Sequence, residues 1–429
     1  MDSALEVDGK RASDISDSVE TAIREGRLTS GAQLPTVRAL ADRLEVSQST
    51  VSAAYRYLRQ RGVISTHGRG GTRVHSRPPV EAKQQRHHDP SMRDLRGLAH
   101  EAELGQIMRE AISELNEQRL TDDDQALENH LAKSFSADGL DTEQVIALGS
   151  SREALARILE SHLLPGDPVG IEAPSSSHIT DVISLNGLEA VPIDIDHEGP
   201  LPASLASVLP RVSAVILTPR AQAPTTATIT ATRASELRVT LRERPDVLAV
   251  EWDFHGPTSG ADYETLVDPT RSRWATIRSF GDLLGGHLTL AGLTGDPVSL
   301  ARVLGRQRLS GGDLSPLMRR LAVDVLAHPG TPRRAEGLAR QHGSRRIVLL
   351  AALRNRGIIA AGQTGPTIWI PTHNQAATTL GMETKGWLVG QAERPTSRCP
   401  QGIWVAVDSI DSSSAGRFAD DLLEVLAAL

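Results

Sequence analysis

Between Thr36 and Thr72 the chain carries hydroxyl, amide and guanidinium side chains in an order that suits a polyanion: Thr36 and Arg38, then Ser47, Gln48, Ser49, Thr50 and Ser52, then Arg69, Gly70 and Thr72. Guanidinium and hydroxyl groups hold phosphate oxygens, while a glutamine amide has the paired donor and acceptor that match the edge of adenine. The surrounding charge fits the same chemistry. From Arg27 to Arg77 nine arginines stand against only Asp42 and Glu45, a local +7 on a chain whose formal net charge is −7. Arginines scattered over helix faces would merely be solvated. A surplus this concentrated on an acidic protein is the electrostatic footprint of nucleic-acid binding.

Elements able to position those groups are written into the same stretch. Pro35 and Thr36 stand where a chain enters a helix, Thr36 can cap it, and Val37, Leu40, Ala41 and Leu44 recur at helical spacing. A turn through Glu45 and Val46 leads to a second cap at Ser47. The helix after it runs to about Gln60 on a buried stripe of Val51, Ala54, Tyr55 and Leu58. Two short helices across a tight turn form a helix-turn-helix, whose second helix presents its N-terminal end to base edges. Gln48, Ser49 and Ser52 are therefore the expected base readers. Val63-Ile64-Ser65-Thr66, the tip His67-Gly68-Arg69-Gly70-Gly71 and Thr72-Arg73-Val74 predict a two-stranded wing with a cationic tip. Asp14 to Arg27, with Ile15, Val19, Ala22 and Ile23 on one face, predicts a helix before them.

The segment resembles the GntR-type winged-helix domain. That family's pattern runs leucine-proline-serine-x-arginine, then serine-x-x-threonine-valine on the recognition helix, then a glycine-rich wing ending in threonine. Here the matches are Leu34-Pro35-Thr36-Val37-Arg38, Ser47-Gln48-Ser49-Thr50-Val51 and Gly68-Arg69-Gly70-Gly71-Thr72. The resemblance implies that Thr36 and Arg38 hold phosphates and that Arg69 and Gly70 reach the groove beside the wing. Where Gln48 stands the family usually has arginine, so the preferred site is expected to differ from that of its relatives.

The chain is too long for one ordinary domain, and 39% hydrophobic with 23% charged residues is the balance of a soluble globular protein. A winged-helix domain over 12–76, a linker over 77–92 and a large domain over 93–429 are expected. The linker reading rests on a proline-bounded stretch poor in apolar residues. Residues 1–90 carry a net +3, which leaves −10 on the remainder, so the large domain is not expected to bind DNA over a broad face. A single cysteine, Cys399, rules out an intrachain disulfide framework and a cysteine-cluster metal site. The neighbours His87-His88-Asp89 cannot readily converge on one ion, so no metal is expected. With no apolar run near membrane-spanning length and no charged-then-apolar leader, a cytoplasmic protein without a membrane partner is expected.

From about Ser91, helix and strand patterns alternate. Val145-Ile146-Ala147-Leu148 is a short buried strand, Gly149-Ser150-Ser151-Arg152 opens a helix, and Ala214-Val215-Ile216-Leu217 and Val247-Leu248-Ala249-Val250 are further buried strands separated by a helix at Arg233 to Arg244. The order predicts an α/β domain with a mostly parallel sheet covered by helices on both faces. After Ser315 the chain reads as helical to about Arg356, and a closing helix is expected from Ala415 to Ala428.

Behind a GntR-type head, this order resembles the MocR class of regulators, in which a domain of the fold type I aminotransferases, enzymes that use pyridoxal phosphate, follows the winged helix. The landmarks are Gly149-Ser150-Ser151, Pro165-Gly166-Asp167-Pro168, Glu172-Ala173-Pro174, Thr218-Pro219 before Pro224-Thr225, and Ser279-Phe280. The resemblance implies a cofactor-binding lysine after phenylalanine-serine, but the chain reads Phe280-Gly281-Asp282, and a carboxylate cannot form the imine. The aromatic that closes the glutamate-aspartate-proline-glycine-tyrosine pattern becomes Ser176, and the phosphate-binding arginine becomes Thr289. In Glu251-Trp252-Asp253-Phe254, Phe254 replaces a tyrosine and Trp252 falls at the aspartate that would pair with the pyridine nitrogen; a one-residue shift would put Asp253 or Glu251 there. The arginine for a substrate carboxylate is matched by Trp404.

Joint loss at these positions predicts a domain that kept the fold and lost the chemistry. Its expected roles are homodimerisation and the sensing of a small-molecule effector. A residual anion pocket is expected from Ser150, Ser151, Ser176, Asp253, Ser279 and Asp282, although Gly149-Ser150-Ser151 also suits a plain helix cap. No cofactor is expected; the alternatives are pyridoxal phosphate bound noncovalently as an effector and, from another class, an active aminotransferase. His255, His287 and Asp282 show no metal or triad spacing.

Overall fold

The computed structural model describes residues 7–25, 27–29, 31–60, 63–66, 71–74, 92–97, 102–113, 125–140, 142–268, 270–285, 288–310, 312–393 and 399–429. It divides into two compact units, one built on the winged helix and the other on the large domain. The expected linker, apart from Met92, falls outside the described residues.

In the first unit α1 spans Ala12–Arg24, α2 Val37–Leu44 and α3 Gln48–Gln60; β1 (Ile64–Thr66) and β2 (Thr72–Val74) pair antiparallel with Ile64 opposite Val74. α1 begins two residues before the expected Asp14, because the Asp14 carboxylate accepts from the Arg11 N–H (3.1 Å) and so closes the first turn around itself. The turn after α2 depends on Glu45, whose backbone is left-handed (φ 52°). One core joins the elements: Ile15, Val19, Leu40, Val51, Ala54, Leu58 and Ile64 are fully buried. The Tyr55 hydroxyl donates to the Pro35 carbonyl (2.9 Å), which pins α3 to the residue that starts α2.

The large unit is organised by an eight-stranded sheet with spatial order β4, β11, β10, β9, β8, β5, β6, β7. These strands are β4 (Ile146–Leu148), β5 (Pro168–Ala173), β6 (Glu189–Asp196), β7 (Gly199–Pro200), β8 (Ala214–Leu217), β9 (Leu248–Asp253), β10 (Trp274–Ser279) and β11 (Ala291–Gly295). Its centre is parallel, through β5 with β8, β8 with β9 and β9 with β10. β11 runs antiparallel between β10 and β4, so β4 points the same way as β10. β8 and β9 are buried at every position, the signature of a sheet covered on both faces.

Before the large sheet comes β3 (Arg93–Asp94), and after it the chain adds β12 (Thr367–Pro371), β13 (Trp387–Leu388), β14 (Gly390–Gln391) and β15 (Gly402–Ala406). These make a small sheet ordered β12, β15, β14 and the pair β13 with β3. The helices Thr331–Arg354, Gln375–Thr384 and Ser412–Ala427 pack on them around Leu349, Ile368, Ile403 and Phe418. The closing helix starts three residues before the expected Ala415, because Asp411 caps it by accepting from the Ser414 N–H (2.8 Å).

Candidate nucleic-acid interface and ligand cavity

Both expected caps of the helix-turn-helix are made, one before α2 and one before the recognition helix α3. Thr36 Oγ1 accepts from the Ala39 N–H (3.2 Å) and Ser47 Oγ from the Thr50 N–H (3.1 Å). The hydroxyls of Ser49 and Thr50 also turn onto Ser47, at 2.7 and 2.8 Å. Three of the expected contacts are thus one linked cluster. Arg38, Gln48 and Ser49 are exposed, Thr50, Ser52 and Thr72 half-buried, and Arg56 and Arg59 add exposed charge along α3. Arg69 and Gly70, expected at the wing tip, lie outside the described residues. Arg73 supports the wing instead of reaching outward, since its guanidinium donates to the Gly31 carbonyl (3.0 Å).

In the large unit the strand directions converge on one place. The chain leaves β4 at Gly149-Ser150, β5 at Pro174-Ser175-Ser176, β9 at Phe254-His255 and β10 at Phe280-Gly281-Asp282, all from carboxyl ends, where open α/β sheets bind ligands. A cavity of about 330 Å³ opens there, lined by Ser150, Ser151, Ser176, Ser279 and Asp282, five of the six residues expected. Ser175, His178, Phe254, His255, Arg334, His342, Trp404 and Asp408 line it as well.

Asp253 does not line the cavity. It is fully buried under two arginines: Arg220 grips it with two bonds (3.0 and 2.9 Å), and Arg278 Nε adds a third at 2.7 Å. Burial pushes its carboxyl up, but the two guanidinium groups outweigh that and hold it at about 2. Neither does Glu251 line it, because its carboxylate accepts from the Thr276 (2.6 Å) and Thr265 (3.0 Å) hydroxyls. The carboxylates of β9 are therefore structural.

Asp282 is placed by its neighbours. Phe280, Leu283 and Leu284 are buried in the core beneath, so the residue between them turns to the cavity side. Its Oδ2 lies 2.7 Å from His255 Nδ1 and 3.4 Å from Thr258 Oγ1. His255 reaches it because Gly256, at φ +48°, lets the chain pass the Ser279 carbonyl; a Cβ there would stand 2.5 Å from that oxygen. At the helix Ser151–His162, Ser150 Oγ accepts from the Glu153 N–H and Glu153 Oε2 from the Gly149 N–H, both at 3.1 Å. Ser150 thus acts as a cap, while buried Ser151 remains on the cavity wall. His342 Nε2 stands 2.9 Å from Asp408 Oδ1. On the wall, Ser175 Oγ and His342 Nδ1 have no hydrogen-bond partner among the described residues.

His342 and Asp408 could not have been found from sequence, being far apart in the chain and outside any pattern. His255 and Asp282 were visible, but only the fold joins them; His287 lies outside the described residues. The chain has four lysines, Lys10, Lys83, Lys133 and Lys385; Lys83 lies outside the described residues, and none of the other three lines the cavity.

The family model for bacterial regulatory proteins of the gntR family matches residues 11–74. The vitamin B6 salvage pathway transcriptional repressor PtsJ of Salmonella typhimurium strain LT2 is 31% identical over 431 residues, a match that spans 98% of this chain and 99% of PtsJ. The chain belongs to the MocR-type regulators of the GntR family. This MocR-type chain is also 25% identical, over 78% of its length and 77% of the relative's, to the HTH-type pyridoxine biosynthesis transcriptional regulator PdxR of Corynebacterium glutamicum. Its large domain has the aminotransferase fold: Pyrococcus horikoshii kynurenine aminotransferase, solved in complex with PMP, superposes with a TM-score of 0.72 at 18% identity, over 79% of this chain and 92% of the enzyme. The protein is a DNA-binding transcriptional regulator. No helix among the described residues is long and apolar enough to cross a membrane.

Proposed function

We propose that this regulator binds its operator as a homodimer and that its aminotransferase-like domain performs no transamination. The observation that carries the proposal is the His255–Asp282 pair, 2.7 Å apart in a cavity whose wall holds no lysine among the described residues. By the resemblance, Asp282 stands at the position of the imine-forming lysine. Lys133 is exposed on the helix Ala126–Ala137, and Lys385 is paired with Glu424 (2.5 Å), so neither supplies the missing amine. The residues present do not fit pyridoxal phosphate as a covalently held cofactor. The test is incubation of the full chain with pyridoxal phosphate and pairs of amino acids and 2-oxo acids; the proposal expects no turnover, and sustained transamination would refute it.

A second reading is favoured by the cavity itself. Its size and the unpartnered Ser175 Oγ and His342 Nδ1 suit a small polar effector held without a covalent bond. PtsJ and PdxR are named for vitamin B6 salvage and pyridoxine biosynthesis, so B6 phosphates are the first compounds to try. On this reading the effector shifts the affinity of the winged helix for DNA by binding one arrangement of the dimer better than another.

A further inference from the structure

Asp282 spends only one oxygen on the protein: Oδ2 takes both the His255 and the Thr258 contacts. Asp282 Oδ1 accepts no hydrogen bond from the described residues, and the residue lines the cavity. His255 Nδ1 faces the carboxylate, so in the neutral ring Nδ1 carries the proton and Nε2 is left as an acceptor. His255 too lines the cavity, and Nε2 has no partner among the described residues. At this point of the wall an anionic acceptor, Asp282 Oδ1, is left for a ligand, while His255 holds the carboxylate in place through its other oxygen.

We propose that the cavity selects a ligand bearing a primary ammonium group, which donates to Asp282 Oδ1. The inference rests on the noncovalent-effector reading above and names the chemistry of that effector. An ammonium has three donors and a positive charge, and a carboxylate accepts from it in a charge-assisted bond about twice as strong as a neutral one. An alcohol offers one proton. An aldehyde offers only a lone pair, and set against a carboxylate oxygen it loses the water it had without gaining a partner. Ser175 Oγ and His342 Nδ1, nine-tenths buried on the same wall and without a partner among the described residues, are polar groups able to meet the rest of such a molecule. The cavity therefore reverses the preference of a lysine-bearing site, where the aldehyde is the group captured.

Three probes with the same ring and phosphate separate these cases: pyridoxamine, pyridoxine and pyridoxal 5′-phosphates, titrated calorimetrically into the full chain in an amine-free buffer. The expected order of affinity is amine, alcohol, aldehyde, with the amine ahead of the aldehyde by roughly tenfold or more. The near-isosteric Asp282→Asn is expected to level the series. Equal or tighter binding of the aldehyde by the natural protein overturns the inference and leaves noncovalent sensing standing, whereas no binding of any probe overturns both. A preference that survives in a folded Asp282→Asn variant also overturns it, because another group would then be the selector. If the variant fails to fold, the order measured on the natural protein decides.

Discussion

His255 Nδ1 and Asp282 Oδ2 lie 2.7 Å apart at the carboxyl ends of two adjacent parallel strands, joined across the cavity floor by the close pass of Gly256 over the Ser279 carbonyl. His255 is only 5% exposed, so the pair is a buried contact and not a surface accident. Replacing Asp282 by Ala leaves an imidazole N–H without its acceptor. The expected loss is about 1–3 kcal/mol of unfolding free energy, read from urea midpoints, with Asp282→Asn costing less. A midpoint unchanged in Asp282→Ala would mean that the pair does not form in solution.

Gly256 makes that geometry possible. Gly256→Ala puts a methyl carbon against the Ser279 oxygen at a positive φ, and both effects oppose the turn. The variant is expected to lose at least about 1 kcal/mol of stability and to weaken the binding of whichever probe the natural protein takes. Normal stability combined with normal binding would show that the chain passes Ser279 by another route.

The buried cluster of Asp253 with Arg220 and Arg278 gives a pH signature. The Asp253 carboxyl is held at about 2, below its ordinary 3.8, so its contribution to stability is present above that ordinary value and is lost as pH falls toward 2. Asp253→Asn takes the buried carboxylate from between two guanidinium groups, which keep their contacts to the half-buried Asp138, and is expected to cost about 3 kcal/mol near neutrality. It should also flatten the acid limb of the stability curve between about pH 4 and 2. An acid limb as steep as that of the natural protein would assign the titration to other carboxyls.

Glu172 has the opposite sign. Burial raises its carboxyl from 4.5 to about 7, although the Thr218 N–H donates to its Oε1 at 2.8 Å. The folded chain therefore holds this proton more tightly than the unfolded one, and stability falls as pH rises from 4.5 to about 7, then levels. Glu172→Gln is expected to be more stable than the natural protein at pH 8 by about 3 kcal/mol, and the gap should close as pH falls below about 4.5. A gap that stays constant with pH would contradict the buried-proton account.

On the DNA side, Gln48 and Arg38 should separate by kind. Exposed Gln48, on the first turn of α3, is expected to discriminate one base pair by about 1–3 kcal/mol, so Gln48→Ala should relax preference at that pair. Arg38→Ala should weaken binding to all sequences alike and reduce the salt slope by about one. A selection experiment on randomised sites with both variants distinguishes the two outcomes.

Much of this was legible in the sequence, and the reasons differ by region. The caps at Thr36 and Ser47 and the apolar stripes of α2 and α3 are local, so spacing alone set those helices within a residue or so. The strands Ala214–Leu217 and Leu248–Asp253 were legible as continuous apolar runs, although the second extends through Glu251 and Asp253. Those charges are compatible with a fully buried strand only because Tyr263, Thr276, Arg220 and Arg278 arrive from elsewhere. For the same reason Asp253 read as a cavity residue when it is part of the core. The cavity's second histidine–carboxylate contact, between His342 and Asp408, depends on how a long helix meets the end of β15, and no local pattern encodes that.

The central claim is that no lysine of this chain holds the cofactor of its fold relatives. It is tested most directly by incubating the full chain with stoichiometric pyridoxal phosphate, reducing with borohydride and mapping the peptides. The expected result is no stoichiometric label at any of the four lysines and full recovery of the Asp282 peptide unmodified. Complete labelling of one lysine would contradict the account, for it would place an imine in a protein whose cavity wall offers a carboxylate in its stead.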